Sequence, residues 1–315
     1  MRFILACVFV LLSNHILSQQ KFSKELNFIT DNDLYVSFEK DQYYTNGLFF
    51  SYRTLATNSG SLAKKIYEFQ IGQKLYTPYR PDVSSVLRHD RPFAAYLYGS
   101  IGILRVFQKK SILTTSFQLG IVGEAAMGQE LQNLIHDIYG FKSPKGWEYQ
   151  IRNMLALNFD TEYIVPLGTS RSDILDLNLH TKLRLGTVFN EATFGFTGRI
   201  GFLKLQPTHN SIAFGSHLNN EKTKTSRPIE SFLFYQPTLT YVLSDATIEG
   251  SFFNNNSPVT FTPKRLRFDL EIGYLFTAKK WVLGYVYHFH SDKLNNLRNN
   301  GGNDYGSIRF GYLLH

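Results

Sequence analysis

The feature that most constrains this chain is a strict two-residue alternation of apolar and polar side chains, sustained over ten or more residues and repeated many times. In "DILDLNLHTKLRLGTVF", Leu175, Leu177, Leu179, Leu183, Leu185 and Phe189 fall on one face, and Asp176, Asn178, His180, Lys182 and Arg184 on the other. Successive side chains of a strand point to opposite sides, so this is the signature of a strand with one apolar and one polar surface. "KRLRFDLEIGYLFTA" repeats it, with Leu266, Phe268, Leu270, Ile272, Tyr274 and Phe276 set against Arg265, Arg267, Asp269 and Glu271.

Strands of a soluble sandwich usually run five or six residues. These are about twice as long. Strands of ~9 to 11 residues with charges on one face match transmembrane barrel strands, with lipid outside and a polar lumen inside. The 19 tyrosines and 27 phenylalanines supply the aromatic girdles such a barrel needs. Twelve segments are expected, beginning near residues 24, 46, 64, 91, 111, 147, 171, 191, 229, 264, 279 and 304. The fold expected is therefore an all-β, twelve-stranded antiparallel transmembrane barrel. The polar stretches 206–228 and 291–304 read as long loops facing outside. No apolar run in the chain after residue 18 is long enough for a spanning helix.

Residues 1–18, "MRFILACVFVLLSNHILS", carry a basic Arg2, a short apolar run and a small Ser18, the pattern of a secretory signal. The barrel domain is then expected to occupy 19–315 of the 315 residues, in a bacterial outer membrane. The only cysteine, Cys7, lies in that signal, so the exported chain has no disulfide and depends on its core or on a closed sheet. The formal net charge of +8 suits partners rich in phosphate or carboxylate. No nucleic-acid module accompanies it.

One stretch breaks the alternation. In "AMGQELQNLIHDIYGFKSPKGW", residues 126–147, Leu131, Leu134, Ile135 and Ile138 recur at helical spacing until Gly140. Gln129, Gln132 and His136 would share the opposite face. A barrel that only conducts solutes needs no helix beside its wall, so this histidine invites a search for partners. "DNDLYVSFEKDQYYTNG" offers one set, with Asn32 and Asp33 ending the first strand and Thr45, Asn46 and Gly47 opening the second. Sequential strands are neighbours, so these ends should lie close together. Asn46-Gly47 is a hairpin-favouring pair and reads as structural. In "DRPFAAYLY" Asp90 and Arg91 read as a loop clamp that pairs with itself.

"TDNDLY", "YYTNGLFFSY", "GQKLYTP", "DRPFAAYLYGSIG" and "GQELQNLIHDIYGFKSPKGW" resemble, in order and spacing, the motifs of the outer-membrane lipid A 3′-O-deacylase family. The likeness covers roughly residues 25–155. It implies a twelve-stranded barrel with a calcium-dependent site between the wall and a short helix, and hydrolysis of the ester holding the 3′-linked acyloxyacyl chain of lipid A within lipopolysaccharide. It also implies His136 as general base, Asp33 as a calcium ligand, Asn32 at the oxyanion, Thr45 orienting water or substrate, and Gln132 supporting the imidazole or the metal shell. A neutral imidazole and a hard carboxylate oxygen suit those tasks.

The chain departs from that pattern at Lys142, where a branch of the family carries a glutamate six residues after the histidine. Glu130 and Glu124 are the nearby acids, and Glu130 is the candidate second metal ligand. A lysine after the "YTP" motif is also missing; Arg80 and Arg88 are the nearest bases and the candidates for a lipid A phosphate. Two other readings stay open. One is a catalytically silent barrel, acting as a channel or structural protein. The other is a barrel phospholipase, for which "HNS", His209 to Ser211, has a suitable His-x-Ser spacing. The chain is expected to act as a monomer.

Overall fold

The fold is a closed antiparallel barrel, seen in a computed structural model that describes residues 21–36, 42–57, 60–80, 82–221, 223, 229–253 and 256–315. The expected signal segment lies outside the described residues. The strands are β1 Lys24–Asn32, β2 Tyr43–Leu55, β3 Lys64–Thr77, β4 Ala94–Val106, β5 Ile112–Val122, β6 Met154–Thr169, β7 Leu175–Gly186, β8 Phe189–Gly201, β9 Glu230–Asp245, β10 Leu266–Ala278, β11 Trp281–His290 and β12 Asn303–Leu314. Each pairs with its sequence neighbours, and β1 closes on β12 from Lys24 opposite Leu314 to Asn32 opposite Gly306. Among the described residues two short α-helices interrupt the loops, α1 Gly128–Tyr139 and α2 Ala246–Glu249.

The alternation read from the sequence becomes an inside and an outside. On β7, Leu175, Leu177, Leu183 and Leu185 are exposed while Asn178 and His180 are buried. The apolar outer surface suits hydrocarbon, and closure leaves no unpaired sheet edge in it. The charged inner faces pair along the lumen wall, as in Arg184 with Glu191 of the neighbouring strand at 3.1 Å and Arg267 with Asp269 of the same strand at 2.7 Å. A cavity of about 360 Å³ remains between them. Phe189 departs from the face assigned to it. It opens β8 beyond a tight turn and points inward, beneath the Arg184 guanidinium at 3.9 Å.

The described part of the connection 202–229, a plug, is not an outward loop. The connection joins the ends of β8 and β9 that lie beside the chain termini, where the Asn219 amide donates to the Phe22 carbonyl at 2.7 Å. Its described part folds back into the barrel mouth and buries Leu205, Ile212, Phe214 and Leu218. Three cations from the wall hold it. Arg53 reaches the Gly215 carbonyl at 2.5 Å, and Lys64 reaches Asn210 Oδ1 and the Ser216 carbonyl, each at 2.8 Å. Arg199 reaches Ser211 Oγ at 2.5 Å and the Gln206 carbonyl at 2.9 Å. Its Asn210, Ser211 and Ser216 are met by side chains of the barrel wall rather than by water, which is why polarity alone misassigned it.

At the other end, the long connections 123–153 and 78–93 are stitched to each other and to the rim. Gly123 donates to the Ala95 carbonyl at 3.0 Å, and Ile151 to the Phe93 carbonyl at 2.9 Å. The expected strand start near 147 moves to Met154, because Trp147 is drawn into a 3₁₀ turn, Trp147–Tyr149, and packs against Phe93. Asp90 and Arg91 do not pair with each other. Asp90 instead accepts from Tyr43 Oη, the Tyr79 amide and the Arg298 amide at 2.9–3.0 Å, tying three loops together. Arg91 stacks on Tyr76 and donates to Thr247 Oγ1 at 2.9 Å.

Candidate active site at the barrel rim

Asp31, Tyr44, Lys74 and Tyr76 line the lumen. Strand alternation therefore turns their neighbours Asn32, Thr45 and Leu75 to the outer face. There the register of β2 against β3 slips between Tyr44 and Asn46. One residue, Thr45, is extra, and the bulge re-aims the strand so that Thr45 and Asn46 both reach the same side. The Asn46-Gly47 pair thus forms no hairpin; it lies inside β2, with Asn46 opposite Asn32.

Helix α1 packs against this outer wall. Gln73 of β3 donates to the Ala126 carbonyl at 2.6 Å and the Met127 carbonyl at 3.2 Å, fixing the start of the helix. Gly140, at φ 73°, ends it as the sequence suggested. The side it presents to the wall is the polar one. Gly128, Gln132 and His136 are buried, whereas Leu134 is 57% and Ile138 71% exposed. Helices of soluble proteins bury the opposite stripe. A helix outside a membrane barrel has hydrocarbon at its back, so Leu134 and Ile138 can face outward while Gln132 and His136 are sheltered against the protein, with Leu131 and Ile135 half-buried between.

Asn32, Asp33, Thr45, Asn46, Gln132 and His136 line one cavity, closed by Leu34, Leu75, Ile135 and Phe141. Its volume is about 20 Å³, enough for about one water molecule. Residues more than a hundred positions apart meet there. Four of these six polar side chains are directed by a specific contact. His136 Nδ1 lies 2.5 Å from the Lys142 carbonyl. A carbonyl only accepts, so Nδ1 carries the proton and the neutral ring keeps its lone pair on Nε2. Asn32 Oδ1 accepts from the Leu34 amide at 2.7 Å, which leaves Nδ2 as the end able to donate elsewhere. Asp33 Oδ2 accepts from the Gln42 amide at 2.9 Å. Gln132 Oε1 accepts from Trp147 Nε1 at 2.8 Å.

Three buried atoms of this group, Thr45 Oγ1, Asn46 Oδ1 and Gln132 Nε2, have no hydrogen-bond partner among the described residues. Buried polar atoms are normally paired. Three orphans around one water-sized cavity point to a polar guest. Asp33, Thr45 and Asn46 offer hard oxygens of the kind calcium takes, with a single carboxylate among them. Among the described residues no three His, Cys, Asp or Glu side chains gather into a metal cluster.

The remaining candidates lie elsewhere. Glu130 and Glu124 are exposed and do not line the cavity, and Lys142 contributes its main chain while its side chain is exposed. Arg80 and Arg88 are exposed on the connection between β3 and β4, with Arg80 over the Tyr79 ring. Ser211 lies in the plug at the opposite end, fully buried, with its Oγ at 2.6 Å from Glu230 and 2.5 Å from Arg199. It has no access to a lipid ester, so the phospholipase reading loses its nucleophile. Asn46 was missed as a site residue because a bulge cannot be read from an Asn-Gly pair.

Comparison with solved structures finds LpxR from Salmonella typhimurium at 17% identity and a TM-score of 0.72, covering 91% of this chain and 99% of that one. The β-domain of the Bordetella autotransporter BrkA follows at 9% identity and a TM-score of 0.44, covering 94% and 99% of the two chains. The translocator domain of the autotransporter NalP from Neisseria meningitidis has 11% identity and a TM-score of 0.39, covering 99% and 93%. The last two share too little to carry weight. No match is found among curated proteins. A family model described as outer membrane protein LpxR matches residues 3–314, and by that match, over nearly its whole length, the chain belongs to the LpxR family of outer membrane proteins.

Proposed function

We propose that this protein is a calcium-dependent outer-membrane esterase that removes the 3′-linked acyloxyacyl chain of lipid A, and that one chain suffices for the reaction. The observation that carries the reading is the convergence of Asn32, Asp33, Thr45, Asn46, Gln132 and His136 on one small cavity. Its helix turns an apolar back to the surrounding lipid, so a lipid ester can arrive from the side.

In this mechanism His136 Nε2 takes a proton from a water molecule in the cavity as the water oxygen bonds to the ester carbonyl carbon. Thr45 Oγ1 orients that water. Asn32 Nδ2 and Gln132 Nε2 donate to the oxygen that becomes negative, the arrangement that stabilises an oxyanion. Collapse breaks the bond from the acyl carbon to the sugar oxygen, and His136 returns the proton to that leaving oxygen. Asp33, Thr45 and Asn46 would hold calcium, which when bound polarises the ester carbonyl as a Lewis acid. One carboxylate implies a weak, readily chelated site, because ligand charge sets calcium affinity. Arg80 and Arg88 stand on a neighbouring loop as contacts for a lipid A phosphate.

The test is mass spectrometry of lipid A from cells expressing the wild type or His136→Ala, with and without a calcium chelator. Loss of the 3′-linked chain only with intact His136 and free calcium supports the reading. An unchanged lipid A profile from correctly inserted wild type sinks it.

A further inference from the structure

The motif that supplies His136 runs on to Trp147, a residue the proposed chemistry does not use. Trp147 is 1% exposed, the largest fully buried side chain among the described residues. Its ring rests 4.9 Å from that of Phe93 and against the start of α1, where a Cβ added to Gly128 would come within 2.6 Å of the indole. The glycine at one end of the motif and the tryptophan at the other are therefore in contact. Only a residue without a side chain lets the helix come so close.

Packing alone would be served by any large ring. The indole adds one donor, Nε1–H, and it is spent on Gln132 Oε1 at 2.8 Å. Indole nitrogen donates and never accepts, so this contact also decides which end of the Gln132 amide is which. The oxygen faces Trp147 and the NH₂ faces away. That NH₂ is buried, has no partner among the described residues, and belongs to a side chain lining the cavity with His136 and Asn32. Without the indole N–H, the amide can turn over and place an oxygen where a donor is needed. A donor to a developing oxyanion would then become a repulsive acceptor.

We propose that Trp147 is a positioning residue: its indole N–H locks the Gln132 amide so that Nε2–H is aimed at the substrate carbonyl oxygen. This rests on the esterase reading above. It acts through Gln132 and touches no reacting atom.

The test is a double-mutant cycle on the purified full-length barrel, with steady-state kinetics on a lipid A substrate in the presence of calcium. Trp147→Phe keeps a ring in the pocket and removes the donor. It is expected to lower kcat about 10- to 100-fold with KM little changed, as for loss of one oxyanion donor or of its support. Gln132→Ala is expected to match it, and the double variant to be no slower than Gln132→Ala alone, because coupled residues are not additive. Gln132→Glu still accepts from the indole but offers no donor, so it should fail although Trp147 is intact. Thermal unfolding of each variant reports whether the barrel is formed, and rates are normalised to folded protein. Trp147→Phe at wild-type kcat, or losses that multiply in the double variant, would overturn the proposal while leaving the esterase reading in place. If Gln132→Ala is fully active while His136→Ala is dead, the proposal also falls. Wild type without activity removes the reading on which both depend.

Discussion

Two histidine-bearing segments pack against this barrel, one outside the rim and one inside the opposite mouth, and a buried hydroxyl at the heart of each contact, Thr45 at the rim and Ser211 in the mouth, is treated in opposite ways. In the plug, the Ser211 hydroxyl meets Arg199, Glu230 and the Ala213 amide, and Arg199 in turn grips Asp176, Glu230 and the Gln206 carbonyl. In the rim cavity, the Thr45 hydroxyl has no partner among the described residues, nor do Asn46 Oδ1 and Gln132 Nε2. Burial is similar, with Ser211 at 0% and Thr45 at 5% exposure. Saturated polar groups hold structure together. Unsaturated ones, gathered around a water-sized space, are kept ready for something that comes and goes.

The sharpest way to break this contrast is to remove one histidine from each segment. His136→Ala should abolish measurable deacylation, a loss of at least ~10²-fold as for a missing general base, with the barrel still folded. His209→Ala should leave the rate per folded molecule unchanged, and equal losses from both would end the distinction. Next in size is Arg199→Met. Breaking a fully buried pairing with Asp176 and Glu230 leaves uncompensated carboxylates and should cost about 3–5 kcal/mol of stability. Denaturant unfolding in detergent would measure it, and kinetics on the surviving folded protein should be normal.

Asn46→Ala probes the rim from the other side. Losing one of three oxygen donors should reduce calcium-supported activity about 10- to 100-fold, recovered in part by raising calcium, with unfolding little changed. A large loss of stability without a kinetic effect would make Asn46 a structural residue after all. The smallest effect concerns pH. Burial, with Lys64 and Lys110 nearby, holds the His209 imidazole below its ordinary value of 6.5. The unfolded chain then binds the extra proton first, so stability should rise with pH through the window just below 6.5 and level off above it. His209→Gln should flatten that slope in a thermal unfolding series.

How much of this was legible in the sequence depends on which solvent each residue meets. The strands were plain because period-two alternation was carried far beyond the length of a soluble strand, and β1, β3, β5, β9 and β12 begin within one residue of their expected starts. The rim cavity was legible through motif order, which paired Asn32 and Asp33 with His136 across a hundred residues. Three things were hidden. The plug reads as a surface loop, since nothing in "THNSIAFG" announces that its polar groups will be met by Arg53, Lys64 and Arg199 instead of water. The orientation of α1 inverts a rule learned in water. The bulge at Thr45 is a count of residues between two strands, visible only when β3 is laid beside β2.

The contact between His136 and the Lys142 carbonyl has a consequence for how such a site can vary. A carbonyl oxygen is carried by every residue type, so the tautomer of the histidine is specified by the path of the loop and not by the letter at position 142. Spelling can drift there while the electronic state of the ring stays fixed. Adding or removing a single residue between Gly140 and Pro144 would do what no exchange of side chain at 142 can: it would hand the ring a different atom and let the proton change sides.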